Sequence, residues 1–192
     1  MVKKLLLASN SPRRRELLGG LDIPMEVVKL KDIEETHPAE LQGGEIPLHI
    51  AKLKMSAYDL PLQDGEVLIT ADTVVWLDGK LLEKPRSEED ACEMLRMLSG
   101  ATHQVFTAVC LRSAYDSTSF VCQSDVTFAK ITDEQIRYYV EKYKPLDKAG
   151  AYGIQEWIGY VGIESIKGSY FNIVGLPVQR LYTALQTLKT TK

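Results

Sequence analysis

The sequence predicts an α/β fold built on a mixed sheet with flanking helices, and three observations carry that expectation. Short apolar runs suited to buried strands alternate with stretches whose apolar residues recur at helical spacing. An Asp78-Gly79 pair sits between two apolar runs, a strong hairpin signal that calls for antiparallel neighbours. Two β-rich stretches, 103–111 and 118–128, follow each other with no helix between them, so the sheet cannot be wholly parallel.

Residues 5–8 read as a buried first strand. Ser11 and Pro12 then cap and open a helix running to residue 21, because the missing proline N–H costs nothing in a first turn. Residues 25–30 read as a second strand, followed by an acidic loop around Asp32, Glu34 and Glu35. Ile46, Ile50, Leu53 and Ala57 mark a helix. Residues 67–76 are strand-like, and the Asp78-Gly79 turn returns the chain through Leu81 and Leu82. Ser87 to Asp90 resembles a capping box ahead of Ala91, Met94, Leu95 and Leu98. Beyond the β-rich pair, Thr132 and Gln135 cap a helix carrying Ile136, Tyr139, Val140 and Tyr143, which Pro145 stops. Pro177 opens a last helix with Val178, Leu181, Leu185 and Leu188. No repeat, low-complexity tract or linker interrupts the chain, so residues 1–192 read as one domain.

Composition narrows the functional classes. Hydrophobic residues make up 45% and charged residues 26%, values of a soluble protein with a real core. The net charge of -3 and the lack of a basic stripe disfavour a nucleic-acid-binding module, while leaving room for a small anionic ligand. Cys92, Cys110 and Cys122 form no Cys-x-x-Cys pair and only three histidines accompany them, a spacing that argues against a zinc site and fits a reducing, cytoplasmic setting. The apolar run at the start ends within eight residues, too short for a signal peptide or a membrane span.

The chemistry concentrates in a few places. In Ser9-Asn10-Ser11-Pro12-Arg13-Arg14-Arg15 a strand, a polar turn and a helix start present free backbone N–H groups, an anion site by construction. Cations in a first helical turn cost about 0.3–1 kcal/mol each against the helix dipole, and a bound anion offsets that cost. Asp72 shares a strand face with Leu68, Thr70, Val74 and Trp76, and a carboxylate there needs a partner, which makes it a candidate metal ligand or general base. Lys54 lies within the apolar arc of its helix, Lys52 on its wet side, and Lys84 follows the hairpin directly before Pro85. Glu34 and Glu35 offer further carboxylates, and hard oxygen ligands beside phosphate-binding cations point to magnesium or manganese. The phosphate-loop pattern and the dinucleotide G-x-G-x-x-G are both absent. His103 reads as a hydrogen-bonded structural histidine.

At these residues the chain resembles the Maf family of nucleotide pyrophosphatases. The likeness runs through SNSPRRRELL at 9–18, ADTVV at 71–75, LEKP at 82–85, MLRMLSGATHQVFTAV at 94–109, PLDKAGAYGIQ at 145–155 and GSYFNIVGLP at 168–177. It implies an inosine-triphosphatase-like fold with two lobes around a cleft, a divalent metal (magnesium or manganese), and cleavage of a nucleoside triphosphate to monophosphate and pyrophosphate. By the resemblance Asp72 is the proton acceptor, and Ser9, Arg13, Glu35, Lys54, Lys84 and Gln155 line the site, with Asp72 and Glu35 toward the metal. Ser11 and Arg14 join the phosphate-binding turn. Arg13, Thr73 and Gln155 together are similar to the subgroup acting on dTTP and UTP; Gln155 has both donor and acceptor for a uracil-type edge. Glu156 and Trp157, which follow it, depart from the pattern without touching it. The resemblance also implies a homodimer. The rival function is a nucleotide-binding regulator of cell division without turnover, against which the intact Asp72, Lys84 and Glu35 argue.

One expectation concerns geometry alone. A two-residue Asp78-Gly79 turn would pair Leu77 with Lys80 and set Lys84 opposite Thr73. A three-residue loop, Leu77-Asp78-Gly79, would pair Trp76 with Lys80 and set Lys84 opposite Asp72. The three-residue loop is expected, since a site using both groups needs them on one face.

Overall fold

A computed structural model describes all 192 residues. Its centre is a seven-stranded mixed sheet in the order β2-β1-β3-β5-β6-β7, with β4 also paired to β3. The strands are β1 (Lys4–Leu7), β2 (Met25–Val27), β3 (Glu66–Leu77), β4 (Lys80–Leu82), β5 (Thr102–Arg112), β6 (Ser117–Phe128) and β7 (Ile163–Lys167). β1 runs parallel to both β2 and β3, and the remaining pairs are antiparallel. Seven helices flank the sheet: α1 (Pro12–Gly19), α2 (Glu45–Ser56), α3 (Glu88–Leu98), α4 (Asp133–Tyr143), α5 (Trp157–Gly162), α6 (Tyr170–Val174) and α7 (Val178–Thr187).

Caps explain where several helices begin. Ser11 Oγ accepts from the Arg14 N–H, with Pro12 in the first turn of α1. Thr132 and Gln135 close a reciprocal capping box on α4. At α3 the box is half made: Ser87 Oγ accepts from the Asp90 N–H, but the Asp90 carboxylate takes the Arg86 N–H instead. The second strand is shorter than the sequence suggests, because past Val28 the chain leaves β1 to pack Val28 and Leu30 against Leu6, Tyr58 and Leu68.

One face of the sheet carries α2, where Thr70 Oγ1 donates to the Ala51 carbonyl at 2.7 Å and Ala51 packs on Ala108 and Cys110. The other face carries two separate cores. Ile69, Ala71, Val109 and Leu111 pack under Leu18 of α1 and Leu181 and Leu185 of α7. Val75, Leu77, Val105, Val126 and Phe128 pack under α3, α4 and α5. Between them on that same face runs a polar belt. Thr73 and Thr107 are cross-strand partners and share a hydrogen bond at 2.9 Å, Thr107 donates to the Asn172 carbonyl, and the Asn172 amide donates to Val105 O and Ser124 Oγ. Two lobes therefore share three long strands. His103 is fully buried, its Nε2 within 2.7 Å of the Tyr152 hydroxyl, and burial holds its pKa down to about 4.

The hairpin corrects the expected register. Leu77 pairs with Lys80, Trp76 with Leu81 and Val75 with Leu82, a two-residue turn with Asp78 at φ 48° and Gly79 at φ 82°. Two successive positive φ angles are what an Asp-Gly type I′ turn accommodates without a bulge. The core decides the register: Leu82 opposite Val75 joins Val75 and Leu77 in one buried cluster, whereas the three-residue loop would set it opposite Val74 on the other face.

Candidate active site

Long strand β3 has two different partners on one edge. β1 covers residues 66–69 and β4 covers 75–77, which leaves 70–74 without a strand neighbour on that side. A cleft of about 710 Å³ opens at this gap. Asp72 and Thr73 point to opposite faces of the strand, yet both line the cleft because the edge itself is exposed to it. Lys84 lines it too, by a route the ladder does not provide: β4 ends at Leu82, and the chain turns away with the Glu83 carbonyl accepting from the Gly150 N–H.

All ten residues singled out in the sequence, Ser9, Ser11, Arg13, Arg14, Glu35, Lys54, Asp72, Thr73, Lys84 and Gln155, line this one cleft. They fall into three groups. In the first, Lys54 reaches from α2 and places its Nζ 2.8 Å from Asp72 Oδ1 and 2.8 Å from Glu35 Oε2. The lysine side chain is 12% exposed and Asp72 18%, so this bridge is shielded, while Glu35 is half open to solvent. In the acidic loop it is Glu35 that meets Lys54.

The second group is the turn after β1. Ser9 Oγ accepts from the Ser11 N–H, and Arg14 is committed to protein partners. Its Nε donates to Gly175 O at 2.8 Å, one Nη to Ala71 O at 2.9 Å and weakly to Ser9 Oγ, and the other Nη to Thr73 Oγ1 at 2.9 Å. Ala71 O points along the open edge of β3, so the guanidinium stands in for the missing strand and leaves one of its five N–H groups uncommitted. Burial pushes the Arg14 pKa down, opposed by the charge of Asp72. Arg15 is exposed on the far side of the helix.

The third group was only partly legible. Arg13 donates to Asp147 Oδ2 at 3.0 Å, and Lys148 holds the other oxygen at 2.7 Å while also pairing with Glu156 at 3.1 Å. Glu156 in turn accepts from the Tyr139 hydroxyl, which accepts from the Gly153 N–H. Lys148 is 8% exposed and lines the cleft, yet sequence reasoning passed over it; adjacent opposite charges in an otherwise apolar 145–155 stretch were the available signal. Glu156 is likewise part of the cleft wall's support and not an incidental departure. Gln155 lines the main cleft and a neighbouring hollow of about 450 Å³ beside Ile154, Tyr160 and Tyr170.

The donors are of the kind that suits a hard divalent cation. Lys54 leaves Asp72 Oδ2 and the second Glu35 oxygen unengaged, but no group of three or more His, Cys, Asp or Glu side chains converges anywhere in the chain. Magnesium commonly takes one or two carboxylates and completes its shell with water and substrate phosphates. No helix is long and apolar enough to cross a membrane.

A family profile described as Maf-like protein matches residues 4–188. A dTTP/UTP pyrophosphatase of Bacteroides thetaiotaomicron is 57% identical over 185 residues, which cover 96% of each chain. Its namesake in Phocaeicola vulgatus matches at the same identity and coverage. The one in Flavobacterium psychrophilum is 50% identical over 95% of this chain and 93% of its own. Among solved structures, a HAM1 protein from Coxiella burnetii overlays 68% of this chain and 75% of its own, with a TM-score of 0.43 and 16% identity.

Proposed function

The chain belongs to the Maf-like protein family, and from that premise we propose that it works as one domain, residues 1–192, hydrolysing dTTP and UTP to the nucleoside monophosphate and pyrophosphate. The observation that carries the reading is the shielded Asp72–Lys54 bridge, extended to the half-open Glu35, in a cleft whose other wall is a helix start and a row of cations. In this reading Asp72 orients and deprotonates the water that attacks the α-phosphorus. Asp72 and Glu35 would hold magnesium or manganese together with phosphate oxygens; when bound, the metal neutralises charge developing on the phosphate. Lys54, Lys84, Arg13 and the N–H groups around Ser9 and Ser11 supply the remaining positive field. Arg14, bonded to Ala71 O and Thr73 Oγ1, spans the gap in the sheet beside the substrate, and Gln155 reads the base edge with an amide that no protein group occupies.

The decisive test is the site of attack. With labelled water the label is expected in the monophosphate, and label in pyrophosphate, or a nucleoside diphosphate product, would refute the reading. Absence of pyrophosphate release from UTP with magnesium or manganese would favour a nucleotide-binding regulator without turnover.

Gln155→Glu is expected to weaken selection for uracil-type bases by about 1–3 kcal/mol in transition-state binding, through a lost donor and an added charge. The ratio of kcat/KM for UTP over CTP in the two proteins measures it. An unchanged ratio would put base reading on other groups.

Three free cysteines suit a cytoplasmic setting. We place a homodimer contact on the β7 edge of the sheet, where Tyr160, Val161, Ile166, Tyr170 and Phe171 are 37% to 84% exposed. An open edge strand flanked by apolar side chains invites a second copy. Sedimentation should give twice 21.5 kDa for the natural chain and the monomer mass for Ile166→Lys; a natural chain that sediments as a monomer would exclude this contact.

A further inference from the structure

Lys54 occupies the position between two carboxylates that a cation would take. We infer that Lys54 keeps the acid pair closed to free divalent metal, so that the metal enters this cleft only as its complex with the nucleotide. The inference rests on the metal-assisted reading above and adds an order of events to it.

Asp72 and Glu35 contribute two negative charges, and Lys54, 2.8 Å from both, contributes one positive. The half-buried Arg14 guanidinium, held beside Asp72 by Ala71 O and Thr73 Oγ1, contributes the second positive. The group is therefore neutral before any ligand arrives. A free divalent cation would meet no net attraction, and it would have to displace or crowd an ammonium that both carboxylates already hold. Of the neighbouring cations, Arg13 and Lys148 are balanced by Asp147 and Glu156, while Lys84 stands exposed on the same cleft and adds to the refusal.

A triphosphate reverses the balance. It brings enough negative charge to take the metal on one side and the ammonium on the other. The lysine stem is flexible, so Nζ can move from carboxylate to phosphate oxygen without a backbone change. Its root is fixed, because α2 is anchored one turn earlier by buried Ile50 and Ala51 and by the Thr70 hydrogen bond to Ala51 O. The chain thus has a cation that yields to a metal–nucleotide complex and not to the metal alone.

The test measures Mn²⁺ binding by the loss of its free electron-spin-resonance signal, on the full chain and apart from turnover. Without nucleotide, the natural protein and Lys54→Arg are expected to leave Mn²⁺ free at concentrations where Lys54→Gln binds one ion. The Kd of Lys54→Gln should be lower by at least tenfold, and the extra site should vanish in the Lys54→Gln, Asp72→Asn double variant. Adding α,β-methylene-UTP should let the natural protein bind one Mn²⁺. Micromolar binding of Mn²⁺ by the natural protein alone would overturn the inference, and this arm stands even if Lys54→Gln does not fold. So would a folded Lys54→Gln with unchanged affinity, or an extra site that survives Asp72→Asn. UTP cleavage intact alongside tight Mn²⁺ binding by the natural protein sinks only the order of binding, whereas no cleavage with any metal sinks the pyrophosphatase reading itself.

Discussion

Asp72→Asn is expected to lower kcat on UTP by about 10²–10⁴-fold while nucleotide affinity stays within about tenfold. Asparagine keeps the shape of the side chain, and Lys54 keeps Glu35 as a partner, so the cleft should survive the change. What goes is the carboxylate's ability to accept a proton, since the amide that replaces it has no basic oxygen. Single-turnover release of pyrophosphate measures the first quantity and equilibrium binding of α,β-methylene-UTP the second. A variant keeping more than a tenth of the natural rate would remove Asp72 from the proton transfer. A variant that loses both rate and binding would make it a binding group instead.

Arg14→Ala should destabilise the fold by about 3 kcal/mol or more. The substitution leaves Ala71 O, Gly175 O and Thr73 Oγ1 without their donor, and each buried acceptor so stranded costs roughly 1–3 kcal/mol where water cannot replace it. In a chain of this size that corresponds to a fall in Tm of roughly 6–12 °C. Arg14→Lys should recover less than half, because one ammonium cannot fork across three acceptors held by two elements. Urea unfolding of the three proteins decides it, and a loss under about 1 kcal/mol for the alanine variant would mean that the guanidinium is not the substitute strand described here. The prediction also separates Arg14 from Arg13, whose guanidinium meets only the half-exposed Asp147 and whose loss should leave stability near that of the natural chain.

The layers that sequence reasoning reached were those with strong local signals. Caps at Ser11, Ser87 and Thr132, the Asp-Gly turn and the long apolar strands were all readable, because each is decided by a few neighbouring residues. The stretch 157–174 was not: α5, β7 and α6 have six, five and five residues, too few for a period to show. The hairpin register failed for a different reason. It was argued from what a site would need, while the physical choice was made by Leu82 seeking the core of Val75 and Leu77. Lys84 still arrived at the cleft, since the ladder ends before it. At the site, an inward aspartate and an inward lysine were legible from strand and helix periodicity. Arg14's role was not, because it depends on a gap in the sheet made by β1 and β4, elements far apart in the chain. Lys148 and Glu156 were hidden similarly, each being held by partners on other elements.

The two cores on one sheet face bear on how the molecule comes apart. β3, β5 and β6 each pass from one core to the other with the β3–β5 and β5–β6 ladders unbroken, and only the hydroxyl and amide row at Thr73, Thr107 and Asn172 lies between them. Melting either core would strip the pairing from half of every shared strand, so the surviving half would expose its backbone along three neighbours at once. A cut before β5 leaves no self-sufficient piece: the fragment keeps β1 and β3 but loses the partner that covers β3 from Leu68 to Trp76. The lobes that form the cleft are thus distinct in packing but inseparable in cooperativity, and slow amide exchange should run through the centre of β3, β5 and β6 with no step at the belt.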